Sequence, residues 1–146
     1  MAAPAAARAT VAHLLVSAGG VVCGVPLDAV RRVVRALAVQ PLPGSSRELL
    51  GLAEFAGEPL PVLDLAALVA GGTSAPGGPS PVTVVVWAGP QDDRELVGLA
   101  VEAALEVRPL EIAAVVPSAS GLVRGEVGLE EAVVRVLDLR LLGSAA

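Results

Sequence analysis

The chain has 146 residues, a formal net charge of −5 and 54% hydrophobic residues, yet only 1% aromatic ones. That length makes one domain with a core large enough to stand alone, built of Val, Leu and Ala. All ten cations are arginines, scattered apart from Arg31, Arg32 and Arg35, so the basic face with stacking aromatics that nucleic-acid binding uses is missing.

A mean hydropathy of +0.73 raises the question of a membrane. The uncharged stretches are cut by Gly19-Gly20 and Pro26, and by GGTSAPGGPSP. Neither offers the roughly 20 unbroken apolar residues of a spanning helix. The opening MAAPAAARAT lacks a basic start followed by an apolar block, so no signal peptide is expected. The expected location is the cytoplasm.

In chain order, residues 1–11 read as a flexible tail, residues 12–142 as the folded domain and residues 143–146 as a second tail. Residues 13–17 and 21–25 are short apolar runs around a Gly-Gly turn, the signal of a β-hairpin. LDAVRRVV spaces its apolar residues for a short helical turn capped by Asp28, with a strand beyond Val33. SSRELLG predicts a short helix capped by Ser45 or Ser46 and stopped by Gly51. Residues 52–55 and 59–63 flank Ala56, Gly57 and Glu58 as a second hairpin, and Asp64 opens another short helix. Residues 71–81 form a Gly/Pro/Ser loop.

Residues 82–88 predict a continuous apolar strand. Residues 96–101, interrupted by Gly98, and 105–107 follow, separated by Glu102. Residues 121–127 and 132–136 are the last strands, and LDLRLLG closes the chain as a short helix. Some ten short strands with frequent turn signals predict an all-β fold with a few short helices.

The residues offer little chemistry. Cys23 is the only cysteine, which excludes an intramolecular disulfide and reads as a buried structural thiol. His13 is the only histidine, which leaves no His-based metal site, and its place in the first strand reads as a strand-edge or satisfied histidine rather than a member of a Ser-His-Asp set. Asp92-Asp93 and Glu130-Glu131 sit in polar turns, where solvent keeps carboxylates from diverging into an acid–base pair. The Gly-rich loop has neither the lysine nor the spacing of a phosphate-binding loop. No enzyme, metal or cofactor is expected.

The most patterned segment, GLAEFAGEPLPVLDL, resembles the signature of CheW-like domains, G-x-x-N-L-R-G-x-x-x-P-V-x-D/N-L. Gly51, Gly57, Pro61, Val62, Asp64 and Leu65 match in register. VVCGVPLDAVRRVVRALAVQPLPGSS, VTVVVWAG with LVGLAVEAALEV, and GLVRGEVGLEEAVVRVLDLRLL resemble the family's other segments in the same order. The resemblance runs from about Leu14 to Leu142. It implies two interleaved five-stranded SH3-like β-barrels sharing an apolar core. It also implies a non-enzymatic adaptor that joins the cytoplasmic hairpin of chemoreceptors to a CheA-type histidine kinase or to other CheW-like adaptors, with self-association.

By position, the resemblance assigns the receptor groove to Leu14, Leu27, Val30, Val33 and Ala104, a trough for an apolar helical partner. It assigns the kinase- or adaptor-facing side to Arg32, Gly51, Ala56 and Gly57. Two of these depart from the family. Ala56 replaces an arginine, losing a five-donor fork, and Arg32 replaces a glutamate, reversing a charge. Opposed charges discriminate partners, so the expectation is an accessory adaptor with weakened kinase binding. In this it resembles the accessory adaptors of multi-adaptor pathways such as the Frz system of gliding myxobacteria. The alternatives are an ordinary receptor–kinase coupler and a regulatory module for another kinase or motility pathway.

Overall fold

A computed structural model describes residues 9–44, 48–70, 81–120 and 122–142. Among them, eleven strands form two sheets. The strands are β1 (Thr10–Ala18), β2 (Val21–Pro26), β3 (Val30–Arg35), β4 (Leu49–Phe55), β5 (Glu58–Asp64), β6 (Val82–Ala88), β7 (Glu95–Val101), β8 (Ala103–Glu111), β9 (Val116–Ser120), β10 (Val123–Gly128) and β11 (Val133–Leu137). A six-stranded sheet runs β8-β1-β2-β11-β10-β9, and a five-stranded sheet runs β3-β6-β7-β5-β4. The expected interleaved, two-lobed all-β architecture is present, with β9 as an extra edge strand that VPSAS, holding Pro117, did not announce.

The lobes interleave because the first takes both ends of the domain and the second takes its middle. The chain crosses once through a 3-10 turn at Leu27–Ala29. It returns at Glu102, whose N–H donates to the Ser17 carbonyl at 2.8 Å. Each lobe also contains one parallel pair, β2 with β11 and β5 with β7. Such pairs require a crossover rather than a hairpin.

Turn chemistry sets the hairpins. Gly19 and Gly20 join β1 to β2 with φ of 61° and 83°, and Ala56 and Gly57 join β4 to β5 with φ of 53° and 80°. Two consecutive positive φ values make the turn whose twist matches that of the flanking strands. Ala56 occupies this left-handed conformation without glycine's freedom.

Three apolar clusters fill the fold. One joins the lobes, taking Leu14, Val16, Ala18, Cys23 and Val25 from the first and Val84, Val86, Leu99 and Val101 from the second. Leu15, Leu110, Val127, Val134 and Val136 fill the first lobe, and Ala53, Leu60, Val62, Val85 and Ala100 fill the second. Alternate residues of one strand therefore enter different cores, which is why β6 reads as unbroken valine. Burying one such side chain contributes about 1.5–3 kcal/mol, and the joining cluster draws many from each lobe. The two lobes consequently fold as one unit.

Several local expectations differ. Asp28 makes no side-chain cap on the Leu27–Ala29 turn, and the strand starts at Val30. SSRELLG is not a helix over its described part: Leu49 and Leu50 open β4 and pair with β5, while residues 45–47 lie outside the described residues. Gly98 does not interrupt β7 but pairs with both Val62 and Val85. The closing segment forms only a 3-10 turn, Leu139–Leu141. β1 begins at Thr10, so Thr10 and Val11, expected in the tail, belong to the sheet. The helix after Asp64 does form, as α1 (Leu65–Ala70), with the Ala66 amide donating to the Asp64 carboxylate at 3.1 Å. The loop expected at residues 71–81 lies outside the described residues, except for Pro81.

Candidate binding surface

The two lobes meet face to face, and strand register decides which side chains reach the open margin of that junction. On β3, Val30 stands opposite Val86 and Val33 opposite Val84. Both partners belong to the joining core, so Val30 and Val33 lie on the joining face. On β8, Ala104 stands opposite Val16 and Val107 opposite Leu14, again on that face. β3 and β8 are edge strands of their sheets. The joining core thus continues outward into a partly open apolar margin.

Of the five groove residues expected, four are exposed or half-buried. Leu27 is 36% exposed in the turn that crosses between lobes, Val33 is 42% exposed, Ala104 is exposed, and Val30 is half-buried. Leu14 is buried in the joining core and supports the margin from beneath. Val107, 53% exposed, joins the set. It was overlooked in the sequence, although its place two residues beyond a short apolar strand start was visible. Only its pairing with Leu14 shows which way it faces.

The residues expected to face a kinase or adaptor divide. Arg32 is exposed and pairs opposite Val85, so it lies on the other face of β3 from Val33. Ala56 and Gly57 form the exposed tip of the β4–β5 hairpin. Arg31 of β3 reaches the turn end of that hairpin, its guanidinium 6.0 Å over the Phe55 ring. Gly51 is not on the surface: it is buried in β4, at a register shift, with φ of +152°. A Cβ there would strike the Gln40 carbonyl. In the fold Gly51 lets residues 40 and 41 cross close over the strand, and it lies within β4 rather than stopping a helix.

The titratable groups serve structure. His13 is buried, with Nδ1 2.8 Å from the Val11 carbonyl oxygen. Burial pushes the Cys23 thiol up to about 12, against a smaller opposing pull from Arg135. Arg135 donates to the Val69 carbonyl at 2.9 Å, tying β11 of the first lobe to α1 of the second. The Glu131 carboxyl is held below its ordinary value by its own backbone amide and then by Arg108, 3.3 Å away. Asp92 and Asp93 are exposed in the β6–β7 turn. Among the described residues, no three His, Cys, Asp or Glu side chains group as a metal site, and no helix is long and apolar enough to cross a membrane.

Two sheets fused through a common core, each with exposed apolar side chains on an edge strand, define a two-lobed all-β fold. The profile of the CheW-like domain matches residues 12–146, and the chain belongs to that family. No curated protein sequence matches it. Among solved structures it is similar to the scaffolding protein TtCheW of Thermoanaerobacter tengcongensis, with a TM-score of 0.76 and 18% identity over 94% of this chain and 95% of that one. At that identity the likeness concerns the fold.

Proposed function

We propose that this protein is a non-enzymatic cytoplasmic adaptor of a chemosensory array. It grips the cytoplasmic hairpin of a chemoreceptor in the apolar margin of Leu27, Val30, Val33 and Ala104, with Leu14 beneath. The observation that supports this most is the register that turns Val30 and Val33 of one lobe, and Ala104 of the other, each onto the face of its own sheet that carries the joining core. An apolar trough between two rigid walls suits the apolar stripe of a helix. The likeness to a protein described as a scaffold agrees with this reading.

In this reading the adaptor is an accessory one. Arg32 sets a positive charge where the family carries a negative one, and Ala56 offers a methyl where the family carries a guanidinium. A kinase surface built for the usual pair would meet one opposed charge and lose one bidentate contact. Other CheW-like adaptors, including a second copy, remain partners in the array.

Titration of the purified protein against a receptor cytoplasmic hairpin and, separately, against the kinase regulatory domain of the same pathway tests both parts. The expected result is receptor binding with kinase binding at least about tenfold weaker than that of an ordinary coupler, a difference of about 1.4 kcal/mol. Restoring Ala56→Arg and Arg32→Glu together should recover it. Full kinase binding by the unmodified protein overturns the accessory reading. Absence of receptor binding overturns the groove.

A further inference from the structure

The outer edge of β4 is only partly covered. Phe55 pairs with Glu58 across the two-residue turn, and Pro59 and Pro61 stand opposite Glu54 and Leu52. Proline has no N–H, which fits positions whose neighbours on β4 do not bond inward. Leu52 and Glu54 therefore turn their N–H and C=O groups to the open edge. At Leu52 that edge is closed by an isolated bridge to Gln40: the Leu52 amide donates to the Gln40 carbonyl at 2.9 Å, and the Gln40 amide to the Leu52 carbonyl at 2.7 Å.

One step further the covering segment departs. Continued pairing would set Ala38 against Glu54, yet among the described residues Glu54 makes no main-chain bond outside its pairing with β5. Between the diverging segments lies a trough of about 560 Å³, with residues 38–40 on one wall, residues 52–54 on the other and residues 57–59 at its mouth. Val39, Leu52 and Ala53 make its lining largely apolar, while the carboxylates of Glu54 and Glu58 stand exposed beside it. Neither carboxylate has an ion-pair partner among the described residues.

We infer that this trough is a second docking site, which takes an extended, positively charged peptide segment of another protein by strand addition at Glu54. The unpaired N–H and C=O call for main-chain groups spaced as in a strand. The free Glu54 carboxylate selects basic side chains opposite and diagonal to it, which fall at alternate positions because alternate residues of a strand share a face; Glu58, paired with Phe55, lies on the other face of the hairpin. Pairing with a second copy through the same edge is disfavoured, because it would bring the Glu54 carboxylates together. The site lies on the β4 side of the second lobe, apart from the margin proposed for the receptor, and does not depend on it.

The test is an amide-resolved NMR titration of the full chain with three capped peptides. One alternates valine and arginine, one alternates valine and glutamate, and one repeats the first with N-methylation at alternate residues. The expected result is shifts at residues 38–40 and 52–58 with the arginine peptide, weakening as salt rises. Binding should be about tenfold or more weaker with the glutamate peptide and lost with the N-methylated one. The variant Glu54→Gln should reduce the preference for arginine over glutamate severalfold. The inference is overturned if the arginine peptide gives no shifts at millimolar concentration. Equal binding of the glutamate or N-methylated peptide, or shifts confined to Val30, Val33 and Ala104, would also overturn it. The last result would count for the receptor margin alone, so the two readings fail separately.

Discussion

β6 and β3 lie side by side, paired from Val30↔Val86 to Arg35↔Val82, and both are valine-rich. In β6, Val84, Val85 and Val86 are wholly buried; in β3, Val33 is 42% exposed. The difference is not composition but position. β6 has a strand on each side and a core on each face, whereas β3 is an edge with one neighbour. A valine in the first setting completes a core, and one in the second is left to meet a partner. β7 and β8 repeat the contrast, with Leu99 wholly buried and Val107 half exposed.

The sharpest way to break the comparison is to delete matched side chains on its two sides. Leu99→Ala should cost about 2–5 kcal/mol, the range for a buried leucine leaving a cavity. Val33→Ala should change stability by less than about 0.5 kcal/mol yet weaken receptor-hairpin binding measurably. Denaturant melts and the hairpin titration, run on both variants, read the two effects apart. Equal destabilisation by both would remove the distinction between interior and edge.

Gly51→Ala comes next. It forces a side chain onto a positive φ and against the Gln40 backbone, and should cost more than about 1 kcal/mol. Hydrogen exchange should show the loss centred on the Gln40–Leu52 bridge, whose covering segment would be pushed outward. A smaller change of opposite sign is expected at the hairpin tip. Ala56→Gly relieves a left-handed alanine and should stabilise by several tenths to about 1 kcal/mol, net of glycine's entropy. Thermal melts at fixed pH measure it.

The smallest effect concerns the C-terminal turn. Asp138 accepts bonds from the Arg140 side chain at 2.9 and 3.0 Å and from its backbone amide at 3.1 Å. The Arg140 side chain is the larger influence holding its carboxyl below the ordinary value. The folded state thus binds the proton less readily than the unfolded chain. The contribution is fully present above the unfolded carboxylate pKa of about 3.9 and fades as pH falls through the lower folded value. Acid titration of stability should show a slightly shallower loss in Asp138→Asn than in the parent.

Much of the fold was legible because its signals are local. The Gly19-Gly20 turn, the Ala56-Gly57 turn, the Asp64 cap and the valine run of β6 each depend on a few neighbouring residues. SSRELLG shows where such signals mislead: serines before Glu48 and a following glycine imitate helix caps, but Leu49 and Leu50 pair with β5, and pairing outweighs propensity. β9 was hidden because VPSAS carries no alternation, and its pairing with β10 is long-range. Of the candidate site, Leu27, Val30, Val33 and Ala104 were named from a resemblance. Burial of Leu14 and Gly51, and exposure of Val107, could not be read without knowing which strands stand opposite them.

By itself the sequence determined the all-β class, the main hairpins, the inert setting of Cys23 and the family signature, since turn geometry and periodicity act over a few residues. Only the tertiary structure decided which valines finish cores and which line an open margin, that β4 continues through Gly51, and that Glu54 keeps a free main-chain edge. Those depend on partners distant in sequence, because a strand's side chains acquire an inside and an outside only when another strand fixes their register.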